Sequence, residues 1–396
     1  MMKFTELPLS AALQQKLAAN NFETTTQIQE AAIPHGLAGR DLVGTAQTGT
    51  GKTLAFLIPI IEQLSACPAP GVQALILVPT RELAMQVADQ FDMIRTSKLK
   101  PAAQVIGGLS EKKQLTDLRA GAQVVVATPG RLEDYLRRRL VNLSAVKTVV
   151  LDEADRMLDM GFLPAIRRIM GVVPRQRHTM CFSATLEASV AGLVNEYTNK
   201  PERIAFGNVL KPSETVELHA FELTGMEKGD VLRQLLYQEK GQTLVFARTK
   251  RGTERLAKQL VRDGFSAAMI HGDRSQSQRS GALAGFQDGK YQVLVATDVA
   301  ARGIHIDDVA HVINYDLPSI AEDFIHRVGR TGRAGNGGRA TTLVAGAEVI
   351  ELRRMEKILK LRIERKQLDE TKRVQSKAKN TLQTRTITRL PGEVFV

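Results

Sequence analysis

The stretch VKTVVLDEADRM, residues 147–158, closes an apolar, β-branched run with three carboxylates, Asp152, Glu153 and Asp155, almost side by side. Like charges that close repel one another unless a cation sits among them. Upstream, AQTGTGKT at residues 46–53 offers the means to hold one. A strand, a loop of Thr48, Gly49, Thr50 and Gly51, and a helix opening at Lys52 and Thr53 would aim backbone N–H groups and a helix dipole at a phosphate. In that arrangement Lys52 reaches the β- and γ-phosphates of ATP and Thr53 holds Mg²⁺. A metal-bound phosphate brings the charge that Asp152 needs, and Glu153 is placed to orient or deprotonate a water attacking the γ-phosphate. Loops of this pattern usually open with Gly, and here the first slot is Ala46. An acidic turn that merely caps the next helix would explain one carboxylate but not three.

Positioning such groups takes strands that end together. Short apolar runs alternate with amphipathic helical stretches along most of the chain, the pattern of α/β domains with mainly parallel sheets flanked by helices. Strands are expected at DLVGTA (41–46), ALILVP (74–79), QVVVATP (123–129), TVVLDE (148–153) and TMCFSAT (179–185), then at QTLVFA, AAMIHG, QVLVATD, HVINYD and ATTLVA. Each half builds its own sheet. QVVVATPGR and QVLVATDVAAR recur roughly 170 residues apart, as two related domains would require. The stretch AFGNVLKPSETVE (205–217) lacks helical periodicity and carries Gly, Pro and Ser, which places a linker at 208–216 between domains at 1–207 and 217–360. Beyond residue 360 the apolar pattern fades, and 361–396 reads as a basic, Thr-rich, flexible tail.

Composition narrows the class. At 396 residues the chain exceeds one ordinary core, and no run approaches the roughly 20 apolar residues of a membrane span, so a cytoplasmic protein without a membrane partner is expected. Cys67 and Cys181 are expected as two buried thiols rather than a disulfide or a metal site. The formal net charge of +12 favours an anionic partner, and residues 350–396 carry 13 basic and 6 acidic side chains, about +7 of that total.

LDEAD and AQTGTGKT, together with PTREL (79–83), TPGR (128–131), SAT (183–185) and HRVGRTGR (326–333), resemble the DEAD-box ATP-dependent RNA helicases. The resemblance runs from about Phe4 to about Gly346, with the motifs in the family's order. It implies two tandem RecA-like domains, ATP and Mg²⁺ as cofactors, and RNA as partner. The wording EADRMLDMGF and the short tail are most similar to the bacterial RhlE-like branch.

Residue roles follow from the same resemblance. Gln29 matches the glutamine that reads adenine, whose amide can pair with N6 and N7; Phe4 matches the family's aromatic stacked on the base, Phe22 is grouped with it as nucleotide-binding, and Thr25 and Gln27 replace prolines usual in the family, which predicts a looser loop. Arg330 and Arg333 match the arginine fingers, where a permanently charged planar fork suits phosphate oxygens, and His326 belongs to the same motif. Gly303 and His305 fall on the ribose-contacting segment, with His305 where the family usually has Asp. Pro79, Thr80, Arg81, Gly107, Gly108, Thr128, Pro129, Gly130 and Arg131 match positions contacting the RNA backbone, as do Arg248, Gln276, Arg279, Thr297 and Arg302 in the second half. Such contacts position a strand without reading its sequence. Asp155, Ser183 and Thr185 are expected to couple the domains.

The resemblance implies an enzyme that unwinds short duplexes or remodels RNA–protein complexes through closure of two domains. With the phosphate cradle before the linker and the fingers after it, neither half holds a complete site, and RNA and ATP would favour the same closed state. The tail is expected to add RNA affinity, to recruit ribosomal or RNA-degradation assemblies, or simply to be solvated. Two alternatives stay open: an ATP-gated RNA clamp or chaperone, and a DNA-directed translocase of the same superfamily.

Overall fold

The apolar runs become the strands of two parallel sheets. The computed structural model describes residues 2–46, 50–185, 188–206, 215–224, 227–301, 306, 309–332 and 337–367. The first sheet holds β1 (Leu42–Thr45), β2 (Ala74–Leu77), β3 (Ala103–Val105), β4 (Val124–Ala127), β5 (Thr148–Leu151), β6 (His178–Ser183) and β7 (Glu202–Ala205). The second holds β8 (Val216–Leu223), β9 (Thr243–Phe246), β10 (Ala267–Ile270), β11 (Val293–Ala296), β12 (His311–Asn314), β13 (Gly338–Ala345) and β14 (Glu364–Arg365). Their orders are β3-β4-β2-β5-β6-β1-β7 and β10-β11-β9-β12-β13-β8-β14. Adding seven to each number in the first order reproduces the second, so one topology is built twice in two compact units. The recurring QVVVAT and QVLVAT segments occupy β4 and β11, equivalent strands of the two sheets.

Helices cover both faces of the first sheet, so its strands are apolar throughout rather than alternating. Successive residues nevertheless feed separate cores: Ile76, Val126, Val150 and Phe182 pack on one face, and Leu75, Val125, Val149 and Cys181 on the other. In the second unit Val231, Val245, Leu256, Val295 and Leu343 form a comparable cluster. Cys181 is buried, and burial pushes its thiol up to about 12, whereas Cys67, expected inside, is exposed just past the helix Lys52–Ala66.

Two boundaries differ from expectation. Val216, the last residue of the expected linker, opens β8, and the first residues of the expected tail complete the second sheet as β14. Arg365 explains the latter: its guanidinium bonds Glu356 Oε1 and Oε2 at 2.9 and 2.7 Å and Glu222 Oε1 at 2.8 Å, while Ile363 is buried. Residues 208–214 of the linker and 368–396 of the tail lie outside the described residues. Among those described, no helix is long and apolar enough to cross a membrane.

Candidate functional site

Each of the three carboxylates finds a different partner. Asp152 follows β5 and is buried; desolvation pushes its carboxyl up to about 7 against the opposing pull of Lys52, with Glu153 adding repulsion. Its Oδ1 accepts the Glu153 N–H at 3.0 Å. Glu153 stands in the left-handed region at φ 51°, a conformation that costs a non-glycine residue about 1–2 kcal/mol. Its Oε2 lies 3.4 Å from Nη1 of Arg156, itself buried. Asp155 Oδ2 accepts the Ala184 and Thr185 N–H groups at 2.9 and 3.0 Å, and Ser183 Oγ accepts the Asp155 N–H at 3.3 Å. Asp155, Ser183 and Thr185 are thus one hydrogen-bonded unit joining the ends of β5 and β6. The cation that the carboxylate cluster demands includes Arg156, inside the quoted stretch; sequence reasoning passed over it because i, i+3 pairing needs the helix Ala154–Asp159 to be known first.

Lys52 opens the helix Lys52–Ala66 and is buried, its Nζ donating to the Ala46 carbonyl at 2.9 Å. Gly51 precedes it at φ 91°, and a Cβ there would collide with Gln29 Nε2 and lie 3.0 Å from Thr26 Oγ1. Gln29 is buried, its Oε1 accepting the Thr26 N–H at 2.9 Å and its Nε2 donating to the Gly51 carbonyl at 3.0 Å. One lone pair and one N–H of the amide remain, the combination needed for a bidentate contact with adenine. Phe4 is buried in a short turn whose N–H bonds the Glu23 carbonyl at 3.1 Å. Thr25 donates both its N–H, at 2.8 Å, and its hydroxyl, at 3.0 Å, to the Met2 carbonyl. Threonine here supplies two donors where proline has none. Phe4, Phe22, Gln29, Gly51, Lys52, Thr53, Asp152 and Glu153 all line one cavity of about 300 Å³. Thr50 is described beside them, while Thr48 and Gly49 lie outside the described residues.

A second group gathers at the C-terminal ends of the neighbouring strands β3, β4 and β2, the edge where open α/β sheets bind ligands. Pro79, Thr80 and Arg81 follow β2, Gly107 and Gly108 follow β3, and Thr128, Pro129, Gly130 and Arg131 follow β4. Thr80 caps the helix Arg81–Ile94 through a 3.3 Å bond from the Leu83 N–H, and Pro129 opens the helix Pro129–Arg137. The Arg81 guanidinium lies across both glycines; a Cβ on Gly107 would sit 3.2 Å from its Nη2, and one on Gly108, at φ 79°, would collide with Nη1. Arg131 is bound instead to Glu111 at 3.0 Å and Asp134 at 3.2 Å and stacks 4.6 Å over Tyr135.

The second unit repeats the arrangement at β10, β11 and β9. Thr297 follows β11, its N–H bonding the Ile270 carbonyl at 3.3 Å, and Gln276 and buried Arg279 lie in the first turn of the helix Gln276–Gln287 beyond β10. Arg248, beyond β9, donates to the Leu317 carbonyl at 3.2 Å and lies 3.6 Å from Glu348. In HRVGRTGR, His326 is half-buried and Arg330 buried, while Arg333 lies outside the described residues, as do Arg302, Gly303 and His305. The arginine that organises this region was not singled out from the sequence. Arg327, 2% exposed, bonds Asp298 Oδ1 and Oδ2 at 2.5 and 2.7 Å, Asn314 Oδ1 at 3.0 Å and the Asp316 carbonyl at 2.7 Å.

Residues 26–193 match the DEAD/DEAH box helicase family and residues 227–335 the helicase conserved C-terminal domain. The chain is 41% identical over 363 residues to the ATP-dependent RNA helicase CshA of Limosilactobacillus reuteri, covering 91% of this chain and 73% of that protein. It is 41% identical over 368 residues to the ATP-dependent RNA helicase RhlB of Pseudomonas syringae pv. tomato, covering 90% and 92%. Among solved structures, S. cerevisiae Dbp5 bound to RNA and ADP BeF3 is 30% identical, with a TM-score of 0.85 over 96% of this chain and 100% of that one. With the shared cavity, the doubled parallel sheet and these matches in hand, the chain belongs to the DEAD-box ATP-dependent RNA helicases.

Proposed function

We propose that the first unit binds ATP in the cavity lined by Gln29, Lys52, Thr53, Asp152 and Glu153, and that RNA held along both strand-end surfaces stimulates its hydrolysis. The convergence of these five residues, from three separate stretches of the sequence, on one cavity is the observation that carries the reading. Gln29 presents its remaining lone pair and N–H to the adenine edge, flanked by Phe4 and Phe22. Gly51 and its neighbours Thr48, Gly49 and Thr50 supply backbone donors, and Lys52 leaves the Ala46 carbonyl for a phosphate oxygen. Thr53 and Asp152 would hold Mg²⁺, and a buried carboxyl pushed up to about 7 fits that ion, whose charge would return it to the carboxylate. Mg²⁺, when bound, neutralises charge developing on the transferred phosphoryl group. Glu153, steered by Arg156, orients the attacking water.

Arg330, Arg333 and His326 of the second unit supply the remaining phosphate-facing groups, and Gly303 and His305 the ribose contact. Turnover therefore requires both units, and RNA that favours their closure favours hydrolysis. Asp155, Ser183 and Thr185, bonded as one unit, are placed to relay that change. RNA is contacted through its sugar–phosphate backbone by Arg81, by the glycines and Thr128–Arg131 of the first unit, by Arg248, Gln276, Arg279 and Thr297 of the second, and by Arg302, without sequence preference. Within the family, EADRMLDMGF supports an RhlE-like branch, although the relatives named above are CshA and RhlB proteins. A cytoplasmic location agrees with those bacterial relatives, and the basic residues beyond 367 suit recruitment to ribosomal or RNA-degradation assemblies.

Steady-state ATPase activity with and without single-stranded RNA, beside single-stranded DNA and the Glu153→Gln variant, tests this reading. Stimulation by RNA alone, abolished in the variant, is the expected result. Equal stimulation by DNA would overturn the choice of RNA, and full activity in the variant would overturn the role of Glu153.

A further inference from the structure

A single buried amide underlies the strand-end surface of the first unit. Gln114, in the helix Glu111–Arg119, is 3% exposed and uses all four of its hydrogen-bonding capacities. Its Oε1 accepts the Ile106 N–H at 3.1 Å and the Tyr135 hydroxyl at 3.3 Å. Its Nε2 donates to the Ile106 carbonyl at 2.9 Å and the Leu109 carbonyl at 3.4 Å. Gly107 and Gly108 are the two residues between those anchors, so the amide spans the loop on which the Arg81 guanidinium lies. Tyr135, fully buried, belongs to the helix whose first turn carries Pro129, Gly130 and Arg131, and the Arg131 guanidinium stacks on its ring. Glu111, one turn before Gln114, binds Arg131 at 3.0 Å and Arg138 at 2.6 Å, fastening the same two helices a second time.

We propose that Gln114 is the positioning residue of the RNA track in the first unit, fixing the Gly107–Gly108 loop against the turn that begins at Thr128. It touches no nucleotide or RNA itself. A backbone track recognises phosphates by the spacing of its donors, so a loop freed from its anchors presents the same groups at the wrong spacing. The consequence is specific: RNA affinity falls, whereas the ATP cavity, which Gln114 does not line, is untouched. Arg131, with two carboxylates already on its guanidinium, ties the helix into this frame as well as lining the track, and Arg81, which makes no ion pair among the described residues, faces the phosphate.

The inference rests on the proposed RNA track, and the test separates the two. ATPase activity of Gln114→Met, Tyr135→Phe and Arg81→Gln is titrated with single-stranded RNA, and ATP affinity is measured without RNA. For Gln114→Met the half-saturating RNA concentration should rise about tenfold, with kcat at saturating RNA within about twofold of the parent and ATP affinity unchanged. Tyr135→Phe, which removes one of the four bonds and leaves the ring, should raise it about twofold. If Arg81→Gln weakens RNA binding and the Gln114 and Tyr135 variants do not, the positioning role is wrong while the track stands. A fall in ATP affinity and thermal stability in step with RNA affinity would make Gln114 a structural residue only. Should Arg81→Gln leave RNA binding unchanged, the track itself is wrong and the proposal goes with it.

Discussion

Asp152→Asn should make the nucleotide-free protein more stable while destroying its activity. Burial raises the Asp152 carboxyl from 3.8 to about 7, and each tenfold gain in proton affinity corresponds to about 1.4 kcal/mol, so the ionised carboxylate destabilises the fold by roughly 4 kcal/mol gross. The direction follows from proton counting: between those values the folded chain holds a proton that the unfolded chain has lost. Stability from this group is therefore complete below pH 4, declines as pH rises from about 4 to about 7, and is gone above that. Asparagine removes the penalty and keeps an oxygen for the Glu153 N–H, but it leaves the buried Lys52 without its neighbouring carboxylate. The pull of Lys52 is already contained in the value of about 7, so the gain is roughly 4 kcal/mol at pH 8 and about 1–2 kcal/mol at pH 5. Urea unfolding without nucleotide or divalent cation, followed by hydrogen exchange in β5 and the helix Lys52–Ala66, measures the difference. A variant less stable at pH 8, or equally stabilised at both pH values, would refute the assignment of Asp152 as a carboxylate held in reserve for a cation.

Two further substitutions probe the frame around the site. Gly51→Ala places a Cβ against Gln29 at φ 91° and should destabilise by about 1–2 kcal/mol and weaken ATP binding at least roughly tenfold; equilibrium dialysis showing normal affinity would sink this account of the loop. Arg327→Met strips Asp298 and Asn314 of their shared partner and should destabilise the second unit by about 3–5 kcal/mol, with Arg327→Lys intermediate because the planar fork is lost. Hydrogen exchange in β12 and β11 reads the effect, and a loss below about 1 kcal/mol would mean that the network is ornamental.

Central strands could be read from the sequence because, covered on both faces, they are unbroken apolar runs: β1, β2, β4, β5 and β6, and β9 and β11 to β13, all fall where apolar periodicity places them, and so does the edge strand β10 at AAMIHG. The strands that escaped reading are β3, β7 and β14, at sheet edges, and β8, beside β14. Edge strands bury less and are short, so their composition carries little signal; β7 has a single buried residue, and β14 is two residues long.

The sequence by itself determined which residues are the candidates for the chemistry of the site. Lys52, Thr53, Asp152 and Glu153 announce themselves by residue type and by position at predicted strand ends, because phosphate chemistry admits few side chains. Only the tertiary structure decided how those groups are held. Arg156 as the partner of Glu153, Gln114 beneath the glycine loop, and Arg327 reaching Asp298 from 29 residues away are choices among many available polar residues. Three of Gln114's partners and one of Arg327's are backbone groups, which every residue offers alike. A polar side chain names what it can bond, and only the packed chain settles which backbone groups come within reach.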